Sequence, residues 1–106
     1  MDDNVTYMPN WILYDSTLPA GARLLYGVIV TRSLATGYCA SENKALGDSI
    51  CVSSRRAQEF IAALIKRNLL TREIIVDPQT KITIERRLYP PKSELENLTA
   101  WNKESN

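Results

Sequence analysis

Between Pro19 and Leu34 the apolar residues Ala22, Leu25, Tyr26 and Ile29 recur at the i, i+3, i+4, i+7 spacing of one helical face. Proline at the start is compatible with a first helical turn, where its missing N–H has no partner to lose. Leu18, just ahead, is placed to close a hydrophobic staple onto that face. Thr36-Gly37 ends the segment, and Tyr38-Cys39-Ala40 is long enough only for a short strand. A second helix is expected to open at Ser41 as N-cap, with Glu42 in the first turn and Ala45 and Leu46 toward the core. Gly47 lowers helix propensity by about 1 kcal/mol, so its presence predicts a close helix–helix approach. A turn at Ile50-Cys51-Val52 leads to Ser53, the next N-cap. The clearest amphipathic pattern then runs from Ser54 to Arg67, with Ala57, Ile61 and Leu64 inward and Phe60 flanking. Lys66 and Arg67 suit the last turn, and Asn68 suits a left-handed C-terminal cap.

The period then changes from helical to alternating. Leu70, Ile74 and Val76 precede Asp77-Pro78-Gln79-Thr80, and Ile82, Ile84 and Leu88 follow it, the signature of a β-hairpin with a proline-containing loop. Arg72 and Arg86 fall on the apolar side of the alternation and are expected to snorkel at the sheet edge. Before the first helix, Val5 to Asp15 reads as an extended arm, because Pro9 pushes Met8 away from helical angles. After Tyr89-Pro90-Pro91, Ser93-Glu94-Leu95-Glu96 fits a capping box for a helix of about nine residues through Leu95, Leu98 and Trp101. So short a helix is marginal alone and has to dock on something. The organisation expected is an N-terminal arm over 1–18, a folded unit over 19–90 and a tail over 91–106.

Composition narrows the chemistry. The 106 residues suffice for one small domain, at 44% hydrophobic and 24% charged. No apolar run approaches the roughly 18 residues that would cross a bilayer, and the acidic start Met1-Asp2-Asp3 does not resemble a signal peptide. A soluble, cytoplasmic chain without membrane contact is expected. There is no histidine, which removes His-based acid/base catalysis, His-activated nucleophiles and His-containing metal sites. Cys39 and Cys51 cannot hold a structural zinc alone, and both read as buried free thiols. No catalytic constellation, metal or cofactor is expected. The net charge of +1 is uninformative, but its distribution is not. Residues 55–87 carry eight Lys and Arg against four Asp and Glu, whereas 1–54 carry three against five and 88–106 two against three. A basic third in a near-neutral chain favours a polyanionic partner.

Helix, short strand, helix, turn, helix and hairpin in that order is the arrangement of a winged helix-turn-helix, an α+β class that is mainly α. The stretch from Pro9-Asn10-Trp11 to Leu88-Tyr89-Pro90 resembles the N-terminal winged-helix domain of phage and plasmid replication-initiation proteins of the replisome-organiser type. The matching pieces are Pro9-Asn10-Trp11, Leu18 to Tyr26, Gly37-Tyr38-Cys39-Ala40-Ser41, Val52-Ser53-Ser54-Arg55-Arg56-Ala57, and Leu64 to Leu70. Two departures stand out. Cys51 and Asn68 occupy positions where such domains commonly carry glycine, and Cys51 implies either a different turn or a strain of roughly 1 kcal/mol. The resemblance implies a non-enzymatic domain that binds origin DNA, with replication proteins as further partners.

The residues themselves place the DNA contacts at the start of the Ser54 helix. With its apolar stripe inward, Ser54, Arg55, Gln58, Glu59 and Ala62 point outward, and arginine and glutamine are the side chains that read guanine and adenine. Ser53 and the first-turn N–H groups suit a phosphate. Arg56 joins this set. Asn43 and Lys44 would reach the flanking backbone, and Gln79, Thr80 and Lys81 at the wing tip the minor groove or its phosphates. Against these stand a solvated face, or pairing of Arg55 and Arg56 with Glu59, whose charge repels phosphates. Two rival functions follow: a small transcriptional regulator, dimerising through the arm or the Trp101 helix, and a winged helix that binds protein without DNA.

Overall fold

The computed structural model describes residues 5–105. The chain is α+β, with helices α1 (Asn10–Leu13), α2 (Ala20–Arg32), α3 (Asn43–Ser49), α4 (Ser54–Lys66) and α5 (Lys92–Ser105), and an antiparallel hairpin of β1 (Thr71–Val76) and β2 (Thr83–Tyr89). In the hairpin Thr71 faces Tyr89, Arg72 faces Leu88 and Ile74 faces Arg86, and a bulge at Ile75/Val76 shifts the register toward the tip. The expected short strand is reduced to one bridge, in which Cys39 and Leu88 exchange two backbone hydrogen bonds of 2.9 Å.

Helix α2 is the centre of the core. Ala22, Leu25, Tyr26, Gly27, Ile29 and Val30 are all buried, a set too wide for one stripe, and α1, α3, α4 and α5 all pack against this helix. A helix that is apolar around most of its circumference has to be enclosed in this way. Helix α4 contributes Ala57, Phe60, Ile61 and Leu64. At the hairpin root Leu70 and Leu88 are buried, while Ile74, Val76, Ile82 and Ile84 farther out are exposed.

The arm is not extended throughout. Pro9 keeps Met8 out of the helix, but its own carbonyl accepts the N–H groups of Ile12 (3.2 Å) and Leu13 (3.1 Å), opening the single turn of α1 and burying Ile12. The rule applied to Pro9 constrains the residue before a proline and leaves those after it free to turn. Residues 1–4 of the expected arm, and Asn106 of the expected tail, lie outside the described residues.

The tail is longer and better anchored than its sequence suggests. Helix α5 begins at Lys92, so Ser93 lies within it and is no N-cap. Leu98 is fully buried, and Trp101 packs tilted against Tyr7 with ring centroids 5.5 Å apart. The anchor is Glu94, a buried carboxylate. It accepts hydrogen bonds from the Tyr7 hydroxyl (3.0 Å), the Trp11 indole N–H (3.0 Å) and the Tyr26 hydroxyl (3.2 Å). Trp11 meets Tyr26 edge-on at 5.4 Å, so its role is packing at the edge of the core.

This node has an alkaline consequence. Burial, and then the Glu94 carboxylate, push the Tyr7 phenol up from 10.0 to about 12. Tyr26 is pushed up as well, first by burial and then by the Glu94 charge. Both phenols hold their protons more tightly folded than unfolded. The stability they contribute is therefore complete below pH 10 and is lost as pH rises through about 12. An absorbance titration of tyrosinate formed in parallel with circular dichroism should show these two phenols ionising together with loss of helix. Tyr7→Phe should weaken that alkaline transition.

Candidate nucleic-acid interface

The turn joining α3 to α4 sets how α4 is presented. The Val52 N–H reaches back to the Gly47 carbonyl (2.9 Å) and the Cys51 N–H to that of Asp48 (3.3 Å), the paired bonds of a Schellman cap. Cys51 takes the left-handed position at φ 61°, the strained option where glycine is absent. It is exposed, contrary to the buried thiol expected; only Cys39 is buried. The left-handed residue stands on the outside of the turn here, as Asn68 does at the corresponding place after α4. The same cap recurs after α4, with Asn68 at φ 59° and its N–H on the Ile65 carbonyl (2.9 Å). Gly47 makes the close approach expected of it, but to backbone: a Cβ there would lie 2.6 Å from the Val52 carbonyl oxygen and 2.9 Å from that of Ser53.

Helix α4 then starts as its sequence implies. The Ser53 hydroxyl accepts the Arg56 N–H at 3.1 Å, a side-chain cap worth about 1 kcal/mol. With Ala57, Phe60, Ile61 and Leu64 buried, Ser54, Arg55, Gln58, Glu59 and Ala62 all stand in solvent. Arg55 and Gln58 have no side-chain partner among the described residues. Arg56 is different. It bonds Glu59 at 2.7 Å and lies over the Phe60 ring at 4.7 Å. That exposed pair is worth at most about 1 kcal/mol, and it neutralises the carboxylate that would repel a polyanion.

Helix α3 departs from expectation at its start. Its N-cap is Glu42 rather than Ser41, with no side-chain cap bond, and Ala45 is exposed while Leu46 and Gly47 are buried. Successive helical residues point about 100° apart, so with Leu46 and Gly47 on the buried side Ala45 is turned to solvent. Ser41 is instead used from outside the helix: its hydroxyl accepts from Arg32 (3.0 Å) and its carbonyl from Arg86 (2.7 Å). Arg86 also donates to the Asn43 side-chain oxygen, so the carboxamide oxygen of Asn43 is already engaged. Arg86 does not snorkel to solvent; it ties β2 to the start of α3. Lys44 pairs with Asp48 at 3.0 Å on the exposed face of α3.

At the hairpin tip the Asp77 carboxylate accepts the N–H groups of Gln79 (2.8 Å) and Thr80 (3.1 Å), while the Lys81 N–H bonds the Asp77 carbonyl (2.8 Å). Those backbone donors, Thr80 first and then Gln79, hold the Asp77 carboxyl below the usual carboxylate range. Lys81 closes the loop at φ 62°, and the side chains of Gln79, Thr80 and Lys81 are exposed.

The eleven candidate residues thus fall on the start of α3, the start of α4 and the hairpin tip. Sequence reasoning missed the arginines around Ser41, because alternation shows which side of a strand a residue occupies but not what lies opposite. Among the described residues no group of three His, Cys, Asp or Glu side chains could hold a metal ion, and no helix is long and apolar enough to cross a membrane. Comparison with protein-family models, with curated proteins and with solved structures finds no match.

Proposed function

We propose that this chain is a double-stranded DNA-binding domain of the winged helix-turn-helix type, with α3 and α4 as the helix pair and the β1–β2 hairpin as the wing. The observation that carries this reading is the unpaired, exposed pair Arg55 and Gln58 on the first two turns of a helix whose opposite side is core. A helix so placed can enter a major groove by its N-terminal half, where arginine reads guanine and glutamine reads adenine. Ala62 keeps the next turn low, and the capped first turn offers N–H groups to a phosphate. The sequence resemblance to replisome organisers makes initiation of phage or plasmid replication the role we favour for that binding, with transcriptional regulation as the rival role on the same surface.

The test is fluorescence anisotropy with mixed-sequence duplex at two salt concentrations, followed by selection of a preferred site. Affinity should fall steeply with salt, as counterion release from several phosphates requires. On the selected site, Arg55→Ala or Gln58→Ala should each cost about 1–3 kcal/mol. Unchanged affinity in both variants would remove α4 from the recognition role. The reading as a protein-binding module is favoured by the exposed Ile74, Val76, Ile82 and Ile84 of the hairpin, and salt-insensitive or absent duplex binding would select it.

A further inference from the structure

Glu59 stands where a helix that enters DNA has least use for an acid. Successive residues of α4 point about 100° apart, which sets Glu59 about 40° round from Arg55 and close to the middle of the face opposite Ala57, Ile61 and Leu64. Arg55 and Gln58 share that face, and all three side chains are exposed. In the geometry proposed for α4, a carboxylate therefore enters the groove beside the two readers. An uncompensated negative charge there would be repelled by the phosphates on either side.

Arg56 compensates that charge from the flank. Its guanidinium lies over the Phe60 ring at 4.7 Å, at the border with the buried face, and its Nη1–H donates to Glu59 Oε2 at 2.7 Å. The ring holds the guanidinium from one side by a cation–π contact, so the ion pair is fixed from the core outward. Glu59 Oε1 receives no donor among the described residues and stays open as an acceptor. The pairing also draws the carboxylate toward its i−3 neighbour and away from Arg55 at i−4, the other side chain within its helical reach. The Arg55 fork is left free.

The three exposed side chains then offer three different chemistries. Arginine only donates, glutamine both donates and accepts, and a carboxylate only accepts. In the major groove guanine presents two acceptors, adenine an acceptor and a donor, thymine an acceptor and a methyl group, and cytosine a single amino donor. An acceptor-only side chain is opposed by guanine and thymine. It meets adenine's amino group beside the repelling N7, whereas the cytosine amino group has no acceptor next to it.

We infer that Glu59 is a base-reading residue that selects a cytosine neighbouring the guanine read by Arg55, and that Arg56 is its positioning residue. The inference rests on the DNA reading of α4 and adds a third specified base to it.

The test titrates the parent protein and its variants against the selected duplex, altered one base pair at a time. At one position the parent should prefer cytosine over thymine by about tenfold, the scale of a single mismatched pair. Glu59→Ala should abolish that preference, keep those that Arg55→Ala and Gln58→Ala remove, and bind unrelated duplex no more weakly than the parent. Arg56→Met keeps an apolar stem over Phe60 without the charge. It should lower the cytosine preference and, by releasing Glu59 toward Arg55, the guanine preference as well. Both side chains are about half exposed, so neither substitution opens the core. If Arg56→Met weakens all duplexes alike and leaves the preferences intact, Arg56 is a phosphate contact and its positioning role is overturned. If Glu59→Ala keeps every preference of the parent while Arg55→Ala or Gln58→Ala loses one, the cytosine assignment is overturned and the α4 reading stands. If the parent selects no site, or its site is indifferent to all three residues, the α4 reading falls and this inference falls with it.

Discussion

Gly47→Ala should unfold this protein at a temperature on the order of 15 °C below the parent, because the helix pair has no room for a side chain there. A methyl group at 47 would meet the carbonyl oxygens of Val52 and Ser53 at 2.6 and 2.9 Å, and these are backbone atoms of a capped turn that cannot rotate away. Relief requires α3 and the start of α4 to separate. That breaks the bond from the Val52 N–H to the Gly47 carbonyl and displaces Ser53 from its capping position. Overpacking of this kind costs about 3 kcal/mol, and each kcal/mol shifts Tm by roughly 4–8 °C in a domain of this size. Gly37 is the contrasting case: φ is 87°, and a methyl group there would meet nothing within 4 Å, so alanine costs only the backbone strain, about 1 kcal/mol. Thermal melts of the two variants side by side separate collision from strain. Equal losses would mean that the α3–α4 turn yields more easily than its bonding implies. Duplex affinity adds a second readout, because only Gly47→Ala re-aims α4.

Glu94→Ala should be of similar size. The Tyr26 hydroxyl is fully enclosed and would be left without an acceptor, a loss of about 1–3 kcal/mol, and the shortened side chain adds a cavity beside it. Tyr7 and Trp11 are open enough for water to replace part of what they lose. A total of about 3 kcal/mol is a large share of the roughly 5–15 kcal/mol that holds a domain together. Glu94→Gln keeps the volume and an acceptor for Trp11 and Tyr26, which share one carboxylate oxygen, and its NH2 can donate to the Tyr7 hydroxyl oxygen, so only the loss of the charged acceptor, about 1 kcal/mol, is expected. Urea unfolding followed by tryptophan fluorescence measures both, since Trp11 and Trp101 flank the node. An alanine variant as stable as the parent would show that α5 is held by Leu98 and Trp101 alone.

What the sequence makes legible follows from how local each cause is. Helix α4 is readable almost to the residue, because its stripe, its Ser53 cap and its Asn68 stop all lie within a few positions of one another. The hairpin is readable from alternation and Asp77-Pro78. Helix α1 is not, because a single turn is too short to show a period. The start of α3 falls one residue later than its sequence implies: Ser41 has the chemistry of a cap, yet tertiary contacts from Arg32 and Arg86 claim it first. Glu94 has the sequence context of a local helix start, although its partners Tyr7, Trp11 and Tyr26 lie 68 to 87 residues away. The candidate contacts on α4 are legible because exposure follows from helix geometry once the buried stripe is known. The meeting of Arg32 and Arg86 at Ser41 is not, since it depends on which surface the hairpin meets.

Those long separations around Glu94 also bear on time. Closing a loop of so many residues is entropically expensive until the intervening chain is ordered. The node is therefore expected to be completed after the helices between its partners have packed, on the native side of the folding barrier. Contacts formed there leave the rate of folding nearly untouched and slow the reverse step. Loss of the three hydrogen bonds that tie α5 to Tyr7, Trp11 and Tyr26 is therefore expected to speed opening of the molecule while leaving its rate of formation nearly unchanged, the behaviour of a kinetic lock.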